Sequence, residues 1–318
     1  MGDEETTREL IVPPEAQGQR LDVFLRDHLT GLGRAAVKRL LAEGRVGLAG
    51  RRAAGSDRVG AGQRVMVGGV LSVAALPDPS APLSLAYEDA ALVVADKPAG
   101  MPSHPLAPGE LGTLASALVA RFPEMANLGY SAREPGIVHR LDTDTSGLVL
   151  AARTRAAFDG LRAQLDRGAI DKRYLALCRG TPAAASIGVP QHAALVARGA
   201  RVHVQLDRDL ARHDAQPITT TIVRVVGVYR SSDGELALLE VKAERARRHQ
   251  VRAHLAALGH PIAGDERYGG PALPGLGRHF LHASAITFTH PESGAALHVA
   301  SDLSAELQAA LNALRSEV

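Results

Sequence analysis

The chain predicts an α+β protein built on a mixed or antiparallel sheet, preceded by a smaller α/β unit. Three observations carry that prediction. Between residues 17 and 72 apolar residues recur first at helical and then at strand spacing, over a length that suits a small separate domain. Residues 73–83 contain Pro77, Pro79 and Pro82 and read as a linker. From residue 84 to residue 318 short branched and aliphatic runs and amphipathic stretches follow one another in groups, which points to α+β. Residues 1–16 read as a flexible tail.

Each element has its own local reason. Leu21, Val23 and Phe24 set the apolar face of a first helix. Val37, Leu40 and Leu41 set that of a second over residues 34–43, and Gly44 is placed to close it in a left-handed cap. Arg34 and Lys38 stand four apart and share the opposite face. Residues 46–48 and 64–67 are strands, with a turn at Ala49-Gly50. In the larger region residues 92–95 form a strand leading into Asp96-Lys97-Pro98-Ala99-Gly100, and residues 113–121 a helix. The run from Gly147 to Arg153 lacks polar alternation and reads as an interior strand. Thr154 caps a helix reaching Arg167, closed by Gly168. Residues 173–178, 236–241 and 280–288 are strands, and residues 305–314 a C-terminal helix. Residues 248–258 are amphipathic, with Val251, Leu255 and Leu258 inward and Gly259 as the stop. Residues 183–212 fit no pattern.

No stretch approaches the ~20 apolar residues that a membrane-crossing helix needs. The acidic start, Met1-Gly2-Asp3-Glu4-Glu5, resembles neither a signal nor a transit peptide. A lone Cys178 rules out an internal disulfide framework and fits a reducing cytoplasm. The 13 histidines show no HExxH spacing and no CxxC accompanies them, so no metal site is expected. Net charge is only +2, yet the basic residues cluster. Arg34, Lys38, Arg39, Arg45, Arg51, Arg52, Arg58 and Arg64 are opposed in sequence by Glu43 and Asp57 alone, and Lys242, Arg245, Arg247, Arg248 and Arg252 form a second group. Concentrated positive charge of this kind suits a phosphate backbone.

The stretch from His139 to Leu148 places Asp142 beside Arg140 in a polar loop that feeds the interior strand. A carboxylate flanked by a guanidinium and hydroxyls stays ionised, and so suits a nucleophile or base better than a proton donor. Asp144, two residues on, is a rival carboxylate that the residues alone do not eliminate.

Four segments together resemble the RluA-type family of RNA pseudouridine synthases: Asp96-Lys97-Pro98-Ala99-Gly100; His139-Arg140-Leu141-Asp142 with Thr145-Ser146-Gly147; Lys172-Arg173-Tyr174-Leu175-Ala176; and His249-Gln250-Val251-Arg252 running on through His260-Pro261-Ile262 and Gly264-Asp265 to Tyr268-Gly269. The likeness spans residues 84–300. Residues 17–68 resemble the small ribosomal-S-four-type RNA-binding module, through Gln19-Arg20-Leu21-Asp22, Lys38-Arg39-Leu40-Leu41-Ala42-Glu43-Gly44 and Ala61-Gly62-Gln63-Arg64-Val65, with Gly33 where serine is usual.

The resemblance implies a reaction that detaches uracil from its ribose and reattaches it through carbon. It implies Asp142 as nucleophile or base at the sugar, Arg252 as the cation that keeps it ionised, and Tyr174 as the side chain stacked on the extruded base, with a hydroxyl also able to shuttle a proton. Arg140 would fill the gap left by the flipped nucleotide or grip phosphate. Arg34, Lys38, Arg39, Arg247, Arg248, His249 and Gln250 would contact RNA. No cofactor and no metal are implied, because the isomerisation is redox-neutral. The implied protein is a cytoplasmic monomer acting on structured RNA, with large-subunit ribosomal RNA foremost, and not on DNA or at a membrane. Transfer RNA as target, and a non-catalytic RNA chaperone or ribosome-assembly factor, are the alternatives. Two departures bear on target choice: Ala246-Arg247-Arg248 precedes His249, and Gln216-Pro217-Ile218-Thr219-Thr220 is off the family pattern.

Overall fold

Alternating burial along short strands and three- to four-residue spacing along two helices build the N-terminal unit. The computed structural model describes residues 8–29, 34–68, 74–182, 193–198, 201–206, 220–243 and 248–316. The chain divides into two units, Met1–Ala74 with Leu106–Gly109, and Ala75–Pro105 with Glu110–Val318.

The first unit contains β1 (Arg8–Ile11), α1 (Leu21–His28), α2 (Arg34–Ala42), β2 (Val46–Leu48), β3 (Arg51–Arg52) and β4 (Arg64–Val67). Its strands pair antiparallel in the order β1-β4-β2-β3. Val65 and Val67 point inward while Arg64 and Met66 point out, as the two-residue period of a half-buried strand requires. They pack against Leu21, Phe24 and Leu25 of α1 and Val37 and Leu40 of α2. Gly44, at φ +72°, closes α2 as its sequence predicts. The tail reading fails for residues 8–11, which pair with β4 from Arg8↔Val67 to Ile11↔Arg64. Four residues carry too little periodicity to announce a strand; the open edge of β4 recruits them.

The second unit holds β5 (Ser84–Glu88), β6 (Leu92–Lys97), α3 (Leu114–Arg121), β7 (Ser146–Ala152), α4 (Arg155–Asp166), β8 (Asp171–Arg179), β9 (Ala193–Arg198), β10 (Arg201–Leu206), β11 (Thr220–Ser231), β12 (Gly234–Ala243), α5 (Gln250–Ala257), β13 (Leu281–Thr289), β14 (Ala296–Ala300), α6 (Ala305–Asn312) and β15 (Arg315–Ser316). Among the described residues nine strands form one mixed sheet, ordered β15-β11-β12-β8-β13-β7-β6-β5, with β14 beside β13; β9 and β10 make a separate hairpin. Among the described strand pairings of this sheet, β7–β13 is the parallel one. Thr113 and Thr154 cap α3 and α4 by accepting from the amides of Ser116 and Ala157, both at 3.1 Å.

All seven residues of β7 are buried because both faces of the sheet are covered. Val149 and Ala151 join the core that includes Leu114 and Leu118 of α3 and Val251 and Leu255 of α5. Leu148, Leu150 and Ala152 join the one containing Phe158 and Leu161 of α4. This two-sided burial explains the unbroken apolar run.

Residues 75–83 are part of this unit rather than a linker. The amide of Ala75 donates to the Ala132 carbonyl at 2.9 Å and that of Asp78 to Ser116 at 3.1 Å, while the Asp78 carboxylate accepts from the Gly112 amide at 2.9 Å. Three prolines remove donors, but the amides of Ala75 and Asp78 and the Asp78 carboxylate find partners in the domain. The unassigned stretch holds β9 and β10, paired from Arg198↔Arg201. Strand β11 escaped sequence reading because register shifts between Ile222 and Arg224 and between Val225 and Gly227 break its period of two.

One feature of the sheet positions the site. β13 pairs with β7 only at His282↔Ser146 and Ala283↔Gly147, after which β14 takes the same edge from Ala285 to Thr289. The two strands start side by side and then part. Gly147 permits the approach: its φ is +109°, and a Cβ there would collide with the Ala283 carbonyl.

Candidate active site

The loop that feeds β7 is held at nearly every backbone carbonyl. Ser103 Oγ donates to Leu141 O at 2.8 Å and accepts from the Leu141 amide at 3.1 Å. Thr145 N donates to Asp142 O at 3.0 Å. Lys97 Nζ and the Gly100 amide both donate to Thr143 O at 3.0 Å, and Arg278 Nη1 donates to Asp144 O at 3.1 Å. Thr145 Oγ1 lies 2.8 Å from His279 Nε2. A loop this thoroughly bonded cannot reorient without breaking several buried hydrogen bonds, which is what precise placement of one carboxylate demands.

Asp142 projects from it into a pocket that also exposes Tyr174, Arg140, His249, Gln250 and Arg252. Arg252, one turn into α5, donates from Nη1 to Asp142 Oδ2 at 2.9 Å. Its Nε and Nη2 grip Asp265 at 2.6 and 2.9 Å, a two-pronged contact that fixes the guanidinium plane. Burial acts to raise the Asp142 carboxyl, but the charges of His249 and Arg252 and the Arg252 hydrogen bond outweigh it, so the acid sits below its ordinary range. His249 helps only when protonated, and burial draws its imidazolium below the ordinary histidine value. At neutral pH the positive charge therefore comes from Arg252. His249 itself lies with Nε2 3.9 Å from Asp142 Oδ2 and Nδ1 2.9 Å from Tyr268 Oη. Tyr174, on the central strand β8 opposite Val241 and Ala283, is buried; burial, with Asp142 nearby, pushes its phenol upward, so it stays protonated. The pocket thus offers an ionised acid, a fixed cation, an aromatic wall and a neutral imidazole.

Asp142, Tyr174 and Arg252 therefore meet, from segments separated by 110 residues in the case of the acid and the arginine. Arg140 lines the pocket mouth, with a side chain 45% exposed and paired to Glu134 at 3.0 Å. His249 and Gln250, expected as RNA contacts, are buried pocket walls. Arg252 is likewise withdrawn from the second basic cluster, and Lys242 pairs with Asp171 at 3.9 Å. Arg248 is exposed, whereas Arg247 and the run Gln216–Thr219 lie outside the described residues. In the first unit Lys38 and Arg39 are exposed on α2; the helix includes Arg34, whose side chain lies outside the described ones. That cluster is less free than its sequence suggests. Arg51 pairs with Asp57 at 2.8 Å, Arg45 with Glu43 at 3.0 Å and Arg64 with Glu9 at 3.2 Å, while Arg52 donates to the Ala42 carbonyl.

Lys97, Asp265 and Tyr268 lie within the motifs without a role evident from them, and His279 lies outside the motifs. Lys97 is fully buried and donates to the carbonyls of Pro98, Met101 and Thr143, with burial pulling its ammonium down to about 7. A lysine at the end of an apolar strand, directly ahead of Pro98-Ala99-Gly100, was the available signal for Lys97. Nothing local marks Asp265, whose partner is 13 residues away.

The family profile described as RNA pseudouridylate synthase matches residues 91–257, which include Asp142, Tyr174 and Arg252. An "Uncharacterized RNA pseudouridine synthase" of Chloroflexus aurantiacus is 39% identical over 97% of this chain and 94% of its own length. The "Ribosomal large subunit pseudouridine synthase D" of Xanthomonas campestris is 33% identical over 98% of this chain and 93% of its own length. Among solved structures, "Human RNA Pseudouridylate Synthase Domain Containing 1" shares the fold, with a TM-score of 0.52 at 22% identity over 76% of this chain and 91% of that one. By profile, by full-length relatives and by fold, the chain belongs to the RluA-type family of RNA pseudouridine synthases.

Proposed function

We propose that this enzyme converts specific uridines of large-subunit ribosomal RNA to pseudouridine, with Asp142 acting at the sugar carbon, Tyr174 stacked on the extruded base and Arg252 holding the carboxylate ionised. The observation that carries the reading is the convergence of these three side chains on one pocket, with Arg252 and Asp142 2.9 Å apart. As the glycosidic carbon gains positive charge, a carboxylate that stays ionised stabilises it or bonds to it. The ribosomal target is supported by the names of relatives in Xanthomonas campestris and Nitrosomonas europaea, which match nearly the whole chain. The first unit, as a ribosomal-S-four-type module, would grip the phosphate backbone with Lys38 and Arg39, while Arg248, next to the pocket residue His249 in sequence, would do the same and Arg140 would take the place of the flipped nucleotide. Among the described residues no helix is long and apolar enough to cross a membrane. A monomer working in the cytoplasm fits this reading.

The test is Asp142→Asn. Pseudouridine formation on unmodified large-subunit ribosomal RNA should fall at least about 1000-fold, with RNA affinity within about threefold of wild type. Turnover at the wild-type rate would refute the role of Asp142. Pseudouridine maps of strains with and without the gene identify the target, and a change confined to transfer RNA would overturn the ribosomal assignment.

A further inference from the structure

We infer that His249 is a further catalytic residue, the base that removes the C5 proton after uracil has been reattached to the ribose through C5. The inference rests on the proposed role of Asp142. Atom bookkeeping creates the need for such a base. When Asp142 engages C1′, the C1′–N1 bond breaks and its electron pair leaves with the uracil ring. C5 then bonds to C1′, the carboxylate is released, and C5 carries both the ribose and its original hydrogen. That C5–H bond must break: the proton goes to an acceptor, the electron pair forms the C5–C6 double bond, and N1 gains a proton from water. The acceptor later returns its proton to solvent, so the balance closes as an isomerisation.

Among the described residues, and apart from the guanidinium groups of Arg140 and Arg252, which hold their protons, the titratable groups lining the pocket where this happens are Asp142, Tyr174 and His249. Asp142 accepts from Arg252 and is a weakened base, and Tyr174 is held as a protonated phenol. His249 has the remaining capacity. Its Nδ1 is 2.9 Å from Tyr268 Oη, so with Nδ1–H donating to that oxygen the lone pair of Nε2 faces the pocket. At 3.9 Å from Asp142, Nε2 is beyond hydrogen-bond reach of the carboxylate yet close enough to feel it. The carboxylate released when C5 attacks C1′ thus stabilises the imidazolium at the step that forms it. Tyr268 stands edge-on to the ring, 5.8 Å between centroids. Burial and the neighbouring charges of Arg252, Arg248 and Arg267 keep the resting imidazole neutral, against the pull of Asp142. The backbone of His249 sits at φ +55°, a left-handed conformation held by its surroundings, as is common where geometry serves function.

The experiment compares His249→Asn with wild type on unmodified large-subunit ribosomal RNA and on the same RNA made with 5-fluorouridine. Asparagine tolerates the left-handed backbone but takes no proton. Fluorine leaves no proton at C5, so consumption of 5-fluorouridine should fall far less than turnover of uridine, and an unchanged urea midpoint reports a correctly folded variant. Turnover of uridine should fall at least about 100-fold, the usual scale of a lost general base, and 5-deuterouridine should slow it further. The wild-type rate should rise with pH through the acid range, and in the variant the part of this limb that His249 sets should be missing, leaving the lower one that Asp142 sets. Equal losses on both RNAs, or wild-type turnover of uridine, would overturn the assignment. Asp142→Asn, inactive on both RNAs, keeps the two readings apart: if it retains turnover, the underlying role of Asp142 fails, whatever His249 does.

Discussion

Arg252 spans two carboxylates with three of its nitrogens, and its side chain is only 8% exposed. Lysine carries the same charge but no planar fork, so Arg252→Lys can serve Asp142 or Asp265, not both. Stability should drop by about 1–3 kcal/mol, because one buried acid loses its partner. Asp142 owes its low position to Arg252 and His249 winning over burial, so weakening the arginine raises that carboxyl. The acid limb of the pH–rate profile should therefore move to higher pH and kcat should fall about 100-fold; an unmoved limb would contradict the coupling. Asp142 was legible in the chain because a charged loop runs straight into an apolar strand. Arg252 was legible as a helix residue and, through the family likeness, as a partner of Asp142, yet it was also counted among surface cations. Its burial depends on Asp265, which nothing local to either residue reveals.

At the level of elements, the narrowest fit is the parallel start of β7 against β13. Gly147→Ala would place a methyl group in the Ala283 backbone and force an unfavourable φ of +109°. The loss should be at least about 2 kcal/mol in urea denaturation, together with reduced turnover, since Asp142 is five residues upstream. A change below about 0.5 kcal/mol would mean the two strands separate freely. Helices α2, α3 and α4 and strands β6, β7 and β12 were readable because caps, stop glycines and apolar runs are local signals. β1 and β11 were not: one is too short to show a period, and the other is interrupted by bulges.

Across the whole molecule, buried neutral histidines tie stability to pH. Burial pulls His139 down to about 3, and His104, His254 and His279 to about 4, whereas unfolded imidazoles protonate near 6.5. Between these values the unfolded chain binds more protons than the folded one, so stability is complete above about pH 6.5 and is lost as pH falls toward 4. Each such histidine should contribute on the order of 1–2 kcal/mol of this loss by pH 5. Urea midpoints from pH 7.5 to 5 measure it; a constant midpoint would show that these rings protonate without penalty. The amino-acid order by itself determined the family, the class of fold, the interior strand and the acid at its head, because each is written in local spacing or in contiguous motifs. Only the tertiary structure decided that Arg252 is shared with Asp265, that His249 faces the same pocket as Asp142, and that much of the N-terminal positive charge is answered within its own unit. Those facts depend on which distant segments are brought within about 4 Å of one another, and at that range charge and hydrogen bonding set what a side chain can do.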